Sequence, residues 1–344
     1  MLPSQRRIPP ILLNSILLLM SMLAAKALSA TPPTTQRSIL VTGANKGQGY
    51  ALCDRILAEH ADTHVFLCSR NAQRGEDAAR ALLEKYSGDR LDVIPLDVTS
   101  QASVTTAYEL VTTNLAKHPH RTLFGVVSNA GILWGYTLQE LLDVCTVGVR
   151  RVMDAFCPLV DKGGRVIVVS SGLGPLMHGY SSEARQEKLK SADCTYEDIQ
   201  GMMDECLAVI EGDDETGSLP AQFEEIGFSG GPFAESAPDF HMYGLAKMFA
   251  DAYMLSLARQ YPDLHVVSCD PGLVYTDLIG RMPRYQGKVR EDTTAQTPHE
   301  GVEAAMRLLF DADGAAPPES GRFYAMSKDG SEFLHSEISK MPNK

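Results

Sequence analysis

Residues 38–59 read SILVTGANKGQGYALCDRILAE, and this stretch decides the fold. Its apolar run 39–41 has the composition of a buried parallel strand, and a helical pattern follows the glycines at 43, 47 and 49. Glycine lets a turn fold tightly and lets the backbone approach a ligand closely. The free N–H groups at a helix start attract an anion. The sequence therefore predicts a strand, a glycine turn and a helix, with a pyrophosphate as the best-suited anion.

The glycines of this turn are spaced Gly-x-x-x-Gly-x-Gly, which differs from the Gly-x-Gly-x-x-Gly of the usual dinucleotide fingerprint. The turn alone is therefore equally consistent with a plain connection between a strand and a helix. If it binds a dinucleotide, we expect contacts from Gly43, Asn45, Lys46, Gly47, Gln48 and Gly49.

The composition is that of an ordinary globular protein, with 344 residues of which 44% are hydrophobic and 22% charged. A chain of this length forms one large domain by default. The net charge of −12 argues against nucleic acid or an anionic lipid surface as the main partner. The seven cysteines form no Cys-x-x-Cys pair and the nine histidines are scattered, so we expect reduced core thiols and no metal site.

Residues 1–35 differ in kind from the rest of the chain. Arg6 and Arg7 precede the uncharged stretch 11–25, and small residues and a Thr/Pro-rich linker follow. This three-part layout is typical of a secretory signal peptide. Counting from Ile8 gives 18 uncharged residues, against about 20 for a bilayer span, so a membrane anchor stays open as the alternative. We expect the secretory pathway or endoplasmic reticulum, or a plastid route in an alga, and one catalytic domain at 36–344.

Strand-like and helix-like segments alternate after the first helix. Apolar strands are predicted at 64–69, 91–96, 123–127 and 165–169, and helices at 74–86 and 103–115. This alternation predicts a doubly wound α/β fold with a parallel sheet, whose ligands bind at the carboxyl ends of the strands.

Arg70 closes the second predicted strand, about 20 residues after the glycines. A carboxylate at this place accepts a hydrogen bond from a ribose 2′-hydroxyl, whereas an arginine accommodates a 2′-phosphate. Lys46 adds a second cation on the same side, and each charge-assisted hydrogen bond to phosphate contributes about 1.5–3 kcal/mol. We therefore predict NADP(H) rather than NAD, with a solvated strand-end cation as the alternative for Arg70. Asp97 and Val98 follow the third predicted strand, where a carboxylate and a backbone N–H could meet the adenine.

Tyr243 and Lys247 lie four residues apart in a predicted helix that the tyrosine opens, so they share one face. A cation nearby can lower the pKa of a tyrosine by about 1–3 units, which makes the phenol a usable proton donor to a carbonyl. Ser171 follows the apolar strand 165–169 and brings a hydroxyl to the edge of the sheet. A Tyr-x-x-x-Lys pair by itself more often marks a half-buried helix face. Its combination with the glycine turn, Arg70 and Ser171 favours catalysis.

These motifs together resemble the short-chain dehydrogenase/reductase family over residues 38–327. The family motifs match 42–49, 128–131 and 270–276, and the family's catalytic serine, tyrosine and lysine fall on Ser171, Tyr243 and Lys247. The resemblance implies a Rossmann-type three-layer αβα fold and a carbonyl reductase-like enzyme. Such an enzyme reduces a ketone or aldehyde to an alcohol with NADPH.

The resemblance also implies a role for each site residue. Ser171 would orient the substrate carbonyl, Tyr243 would deliver the proton, and Lys247 would hold the nicotinamide ribose and lower the pKa of Tyr243. Thr276 would bind the nicotinamide carboxamide. The further cofactor contacts implied are Asn129, Ala130, Gly131, Pro271, Gly272 and Val274.

Three positions depart from the family motifs. Cys145 stands where the family has an asparagine that helps hold a water in the proton relay, and a thiol is a weaker hydrogen-bonding group than an amide. Ser128 replaces the first asparagine of the Asn-Asn-Ala-Gly motif, and Gln48 replaces an aliphatic residue of the glycine turn. Neither of these two changes removes a charge.

A long insertion, residues 172–240, precedes Tyr243. Helices are predicted at 183–191 and 196–210, the second capped by Thr195, and an acidic break at 212–217. The insertion resembles that of the carbonyl reductase branch, where it covers the surface that other members use to oligomerise, and this implies a monomer. A surface decoration without a role at the site is the alternative.

The segment after the last family motif resembles the family's substrate lid, at residues 278–297, followed by a closing helix at 298–312 and a last strand at 321–326. Apolar residues in the lid and after Ser171 predict a substrate pocket with few charges, lined by Leu173, Met177, Tyr180, Met282 and Tyr285. Two alternative functions stay open. One is a membrane-associated steroid or retinoid dehydrogenase on the same scaffold, and the other is a noncatalytic NADP-binding protein.

Overall fold

The computed structural model describes residues 36–86, 88–212, 219–310, 316–327 and 333–336. The predicted targeting segment 1–35 and most of the predicted acidic break lie outside these residues. Eight strands of the described part form one sheet in the order β3-β2-β1-β4-β5-β6-β7-β8. The strands are β1 (Gln36–Val41), β2 (Thr63–Ser69), β3 (Leu91–Pro95), β4 (Arg121–Ser128), β5 (Val160–Val169), β6 (His265–Asp270), β7 (Phe323–Met326) and β8 (Phe333–Ser336).

The strand order confirms the predicted doubly wound, Rossmann-type sheet. The chain runs from β1 outward to β3 and returns to β4 on the other side of β1, and all pairs up to β6–β7 are parallel. The order therefore reverses between β1 and β4, which is where sheets of this kind bind their ligands. The antiparallel edge strand β8 is an addition that the sequence did not predict.

The helices cover both faces of the sheet. Those outside the insertion are α1 (Gly47–Glu59), α2 (Ala72–Leu83), α3 (Gln101–Lys117), α4 (Leu138–Leu142), α5 (Gly148–Phe156), α11 (Pro238–Gln260), α12 (Asp277–Gly280), α13 (Pro298–Gly301) and α14 (Glu303–Leu309). Within the described residues no helix is long and apolar enough to cross a membrane.

Two predicted helix boundaries are wrong. Helix α11 begins at Pro238, five residues before Tyr243, because proline fits the first turn of a helix, where its missing N–H has no partner to lose. The predicted closing helix is broken at Val302 into α13 and α14. At this break Gly301 packs so closely on Val274 that a Cβ would lie 2.3 Å from the valine Cγ2.

Alternating side chains of the central strands build a hydrophobic core on each face of the sheet. Leu40 and Val126 belong to one cluster, and Ile39 and Val127 belong to the other. All four are fully buried, and each such side chain contributes about 1.5–3 kcal/mol relative to exposure. The apolar runs of the sequence therefore fix both faces of the sheet.

The insertion is mostly helical and packs on α11. Its helices are α6 (Leu173–Tyr180), α7 (Glu183–Lys190), α8 (Tyr196–Glu211), α9 (Leu219–Glu225) and α10 (Phe233–Ser236). The predicted cap of α8 is confirmed, because Thr195 and Asp198 exchange hydrogen bonds between side chain and backbone in a capping box. Helix α8 packs against α4 and α11.

Candidate active site

The carboxyl end of β1 is tied to the end of β4 by one hydroxyl. Thr42 Oγ1 accepts hydrogen bonds from the backbone N–H groups of Asn129 and Ala130, both at 3.0 Å. The Asn129 side chain donates to the Thr42 carbonyl at 2.9 Å. The predicted residues Asn129 and Ala130 are thus held against the glycine turn. Sequence reasoning gave Thr42 no contact in the site, although Thr42 is the first residue of the family motif at 42–49.

The glycine turn forms a cradle that excludes side chains. Gly43 has a φ of +63°, and a Cβ there would lie 2.9 Å from Ala130 Cα. A Cβ on Gly49 would lie 2.5 Å from the Gly43 carbonyl oxygen. Gly47, with a φ of +57°, lies beside Thr276, whose Cγ2 would be 3.3 Å from its Cβ. The turn therefore places backbone without side chains between the ends of β1, β4 and β6, which fits a pyrophosphate at the start of α1.

Arg70 lies exposed immediately after β2 and makes no hydrogen bond or ion pair with the described residues. Its guanidinium is thus available to an anion at the end of the sheet. Asp97 is held by Thr99, whose N–H and hydroxyl donate to Asp97 Oδ1 at 3.0 and 2.7 Å. The Asp97 N–H donates to Ser103 Oγ at 2.9 Å, and Val98 is buried. The carboxylate of Asp97 is therefore fixed in place after β3.

Lys46 has a partner that the sequence did not predict. Its Nζ forms an ion pair with Asp277 Oδ2 at 2.6 Å. Asp277 starts α12 directly after Thr276. Both side chains are mostly exposed, and such a pair contributes about 0–1 kcal/mol, so a phosphate could compete for the lysine.

The loop after β6 contains the other predicted cofactor residues. Gly272, with a φ of +75°, follows Pro271 and faces Gln296, and Val274 is buried and bridges to Gln296. Thr276 caps α12 with its side chain. The loop that leads into the lid is therefore fixed to the far end of the lid.

Ser171, Tyr243 and Lys247 converge, as predicted, at the carboxyl ends of β5 and β6. Lys247 is buried, donates to the Val169 carbonyl at 2.8 Å, and has its Nζ 5.6 Å from the centre of the Tyr243 ring. The Ser171 hydroxyl faces the phenol of Tyr243 and accepts from the Leu173 N–H at 3.2 Å. The structure thus joins residues that are 72 positions apart in sequence. Gly131 also reaches this group, because a Cβ there would lie 4.0 Å from Lys247 Nζ.

The pKa of Tyr243 follows the prediction only in part. Burial raises its pKa to about 12, while Lys247 and the Ser171 hydroxyl act in the opposite direction. Burial opposes the charge of Lys247 as well, but Tyr243 and other neighbouring groups outweigh it and raise the lysine's pKa. The predicted effect of the ammonium is therefore present, but burial of the phenol exceeds it.

Cys145 lies beside this pair in an irregular part of a helix. A π-helical turn, Asp143–Val147, joins α4 to α5 and packs against α11. Cys145 is fully buried and its thiol donates to the Ile132 carbonyl at 3.6 Å, while the Thr146 hydroxyl donates to the Ala246 carbonyl at 2.7 Å. Turns of this kind recur at functional sites. The sequence pattern gave no signal for it.

A cluster of aromatic side chains lies at the start of α11, where Phe240 precedes Tyr243 by three residues. Trp134 packs edge-on against Phe240, and Phe240 against Phe233. The lid is tied to the same region by Arg281, which donates to the Tyr136 hydroxyl at 2.7 Å. Sequence reasoning missed this aromatic cluster because its members come from two distant segments.

The residues predicted to line the pocket have different environments. Met282 and Tyr285 are buried in the lid, and Leu173 and Tyr180 are half-buried. Met177 lies beneath α11, where a Cβ on Gly244 would be 2.4 Å from its Cγ. Met177 therefore serves helix packing.

In the part of the chain that the structure describes, no group of three or more His, Cys, Asp or Glu side chains is arranged to hold a metal ion. All seven cysteines are buried and free.

Comparison with known proteins gives a consistent picture. A family model described as short chain dehydrogenase matches residues 37–183. Short-chain dehydrogenase/reductase 1 of Saponaria officinalis is 27% identical, and the match covers 85% of this chain and 95% of the relative. Carbonyl reductase (NADPH) 1 of Oryctolagus cuniculus is also 27% identical, over 82% of this chain and 95% of the relative.

Among solved structures, salutaridine reductase from Papaver somniferum has a similar fold. Its TM-score is 0.65 at 22% identity, and the match covers 84% of this chain and 99% of that structure. Over nearly its whole length the solved structure therefore shares the fold of this chain.

Proposed function

Since this chain belongs to the short-chain dehydrogenase/reductase family, we propose that it reduces a ketone or aldehyde carbonyl to an alcohol with NADPH as the hydride donor. The observation that carries the proposal is the convergence of Ser171, Tyr243 and Lys247 beside the glycine cradle. It is supported by the similarity to an NADPH carbonyl reductase over most of both chains.

The residues present fit NADP(H). The cradle of Gly43, Gly47 and Gly49 suits the pyrophosphate, Arg70 offers its guanidinium to a 2′-phosphate, and Asp97 with Val98 suits the adenine. When bound, the cofactor supplies the hydride that reduces the carbonyl carbon. The remaining candidate contacts are Asn45, Lys46, Gln48, Asn129, Ala130, Gly131, Pro271, Gly272, Val274 and Thr276.

In this proposal Tyr243 donates the proton that the carbonyl oxygen receives. A phenol with a pKa of about 12 is protonated at neutral pH, so it can donate to a carbonyl oxygen as negative charge develops there. Lys247, held by the Val169 carbonyl, stabilises the phenolate that remains. Ser171 donates a second hydrogen bond to the same oxygen and orients it. Cys145 offers a thiol where an amide would hold a water more strongly, so proton return from solvent is expected to be slow.

An apolar, bulky carbonyl compound suits the approach better than a charged one. Trp134, Phe233 and Phe240 supply flat apolar surfaces near the start of α11, and Met282 is buried in the lid. A noncatalytic role is disfavoured, because it does not explain why the ammonium of Lys247 is buried beside Tyr243.

The test is turnover by the full chain. Turnover is measured as the loss of NADPH absorbance in the presence of quinones, aromatic aldehydes, diketones or steroid ketones. Tyr243→Phe should lower kcat by about 10²–10⁴-fold, since it removes the proton donor and keeps the ring. Tyr108→Phe, which alters a tyrosine that is 36% exposed on α3, is the matched control and should keep wild-type activity. Binding of NADPH with no turnover on any substrate would contradict the proposal.

Two further proposals concern the whole chain. We propose that residues 1–35 direct it to the secretory pathway or anchor it to a membrane of that pathway. Microscopy of a fluorescent fusion together with N-terminal sequencing would test this.

We also propose that the chain is a monomer, because α8 of the insertion packs on α4 and α11 and covers part of their surface. A sedimentation mass of twice the chain mass would contradict the second proposal.

A further inference from the structure

Asp251 is a buried carboxyl group to which the reaction above gives no role. It is 1% exposed and lies in α11, one turn after Lys247. Tyr243, Lys247 and Asp251 follow one another at intervals of four residues, so they share one face of the helix. This face points to the carboxyl ends of β5 and β6.

Asp251 holds the peptide segment between two groups of the site. Ser170 donates its hydroxyl hydrogen to Asp251 Oδ2 at 2.9 Å, and both side chains are buried. On one side of Ser170 is Val169, whose carbonyl accepts from Lys247 at 2.8 Å. On the other side is Ser171. The Ser170 N–H also donates to the Cys269 carbonyl of β6 at 2.8 Å. The Asp251 bond is thus the side-chain contact that α11 makes with the residue between Val169 and Ser171.

The surroundings of Asp251 are built closely around the carboxyl group. A Cβ on Gly174, in α6, would lie 2.4 Å from Asp251 Oδ2, so only glycine fits there. The hydroxyl of Ser268, in β6, also faces the carboxyl group. Asp251 Oδ1 is buried without a hydrogen-bond partner. An unsatisfied buried oxygen is costly, which argues against a role in packing alone.

Charged groups from two elements act on this carboxyl group. Burial raises the pKa of Asp251 to about 7, the Ser268 and Ser170 hydroxyls and Lys247 lower it, and Asp270 at the end of β6 raises it. Burial, and after it the carboxylates of Asp270 and Asp251, raise the pKa of the Cys269 thiol in β6. Asp251 therefore changes charge near neutral pH, one helical turn from Lys247.

We propose that Asp251 is a positioning residue for this site. Through Ser170 it fixes the segment Val169–Ser171, which holds the ammonium of Lys247 and presents the hydroxyl of Ser171. The contribution to turnover rests on the proposed carbonyl reduction, whereas the contact itself can be tested without turnover.

Four variants of the full chain test the role in turnover. Ser170→Ala and Asp251→Ala each remove the hydrogen bond and should lower kcat about tenfold, and the double variant should lower it no further, because both remove one interaction. Asp251→Asn keeps an acceptor for Ser170 and should recover most of kcat, but should lose one ionisation near pH 7 from the pH profile. Asp54→Ala, at a buried carboxyl group that Tyr86 and His299 hydrogen-bond, is the matched control and should lower stability only.

The contact is tested separately by carbon-13 NMR of the aspartate carboxyl groups without cofactor. The Asp251 signal is assigned by its absence in Asp251→Asn, and Ser170→Ala should raise its pKa because a hydrogen bond to the charged form is lost. Both alanine variants should also weaken NADPH binding about tenfold. An unchanged Asp251 pKa in Ser170→Ala, or wild-type kcat and pH profile in both Ser170→Ala and Asp251→Asn, would overturn the proposal. If the wild-type chain reduces no carbonyl, the proposed function fails, and the titration and NADPH affinity alone decide about Asp251.

Discussion

Arg70 shows what a single residue can specify. It lies at the end of β2, exposed and without a partner among the described residues, so its charge is free for a ligand. A guanidinium there suits a 2′-phosphate, and a carboxylate suits a 2′-hydroxyl. We therefore expect this residue, more than the fold, to decide between the two cofactors.

Replacing Arg70 by aspartate should reverse the cofactor preference. Loss of the charge-assisted hydrogen bonds, with a carboxylate placed near the phosphate, should weaken NADPH binding by about a hundredfold, while NADH should bind better. Arg80→Glu, which alters an exposed cation of α2, is the control and should change neither affinity. Fluorescence titration with both cofactors measures this. An unchanged ratio of the two affinities in Arg70→Asp would show that the 2′-phosphate binds elsewhere.

The glycine turn shows how an element depends on residues far from it in sequence. Gly43 has a positive φ, and its missing Cβ makes room for Ala130 of the loop after β4. Thr42 binds the same loop through its hydroxyl. The turn therefore packs against the loop after β4 and helps to connect the ends of β1 and β4. The sequence pattern showed only the glycines of this contact.

Gly43→Ala should lower both stability and cofactor affinity. Strain at positive φ and the clash with Ala130 should lower the free energy of unfolding by about 1–3 kcal/mol, and NADPH binding should weaken more than tenfold. Gly163→Ala is the matched control, because Gly163 has a φ of +74° and open space around its Cβ position. It should lower stability by about 1 kcal/mol and leave NADPH affinity unchanged. Equal NADPH affinities for the two variants would argue against the cradle.

At the scale of the whole molecule, buried histidines link stability to pH. His64 in β2 is fully buried and hydrogen-bonded to Asp92 at 2.9 Å, and burial lowers its pKa. Burial also lowers the pKa values of His178 and His241. Below pH 6.5, the ordinary value for histidine, the unfolded chain binds protons that the folded chain does not. Stability is therefore complete above about pH 6.5 and falls as the pH falls through that range.

Urea unfolding between pH 5 and 8, a range about the ordinary histidine pKa, measures this dependence. In His64→Gln the loss of stability on acidification should be shallower by up to about 1.4 kcal/mol per pH unit, the contribution of one proton. His335→Gln, which alters an exposed histidine in β8, should keep the wild-type slope. A slope in His64→Gln equal to that of the wild type would show that His64 is protonated in the folded chain.

The sequence by itself determined the sheet apart from β8 and the glycine turn, and it identified Ser171, Tyr243 and Lys247 as candidates for the site. Apolar runs, glycine spacing and the four-residue interval on a helix are local patterns, and each expresses a local physical preference. The first residues of the helices were harder to predict from the sequence, because a residue can fit a helix and still not be its first residue. Helix α11, which begins at Pro238, is an example.

Only the tertiary structure decided which distant groups meet. The bond of Ser170 to Asp251 joins positions 81 residues apart, the pair of Lys46 with Asp277 joins positions 231 apart, and the π-helical turn places Cys145 next to Ile132. The net pKa of Tyr243 also depends on burial, which no local pattern reports. The physical reason is the same in each case. Hydrogen bonds and desolvation depend on distances in space, and for residues far apart in the chain these distances are set only when the chain folds.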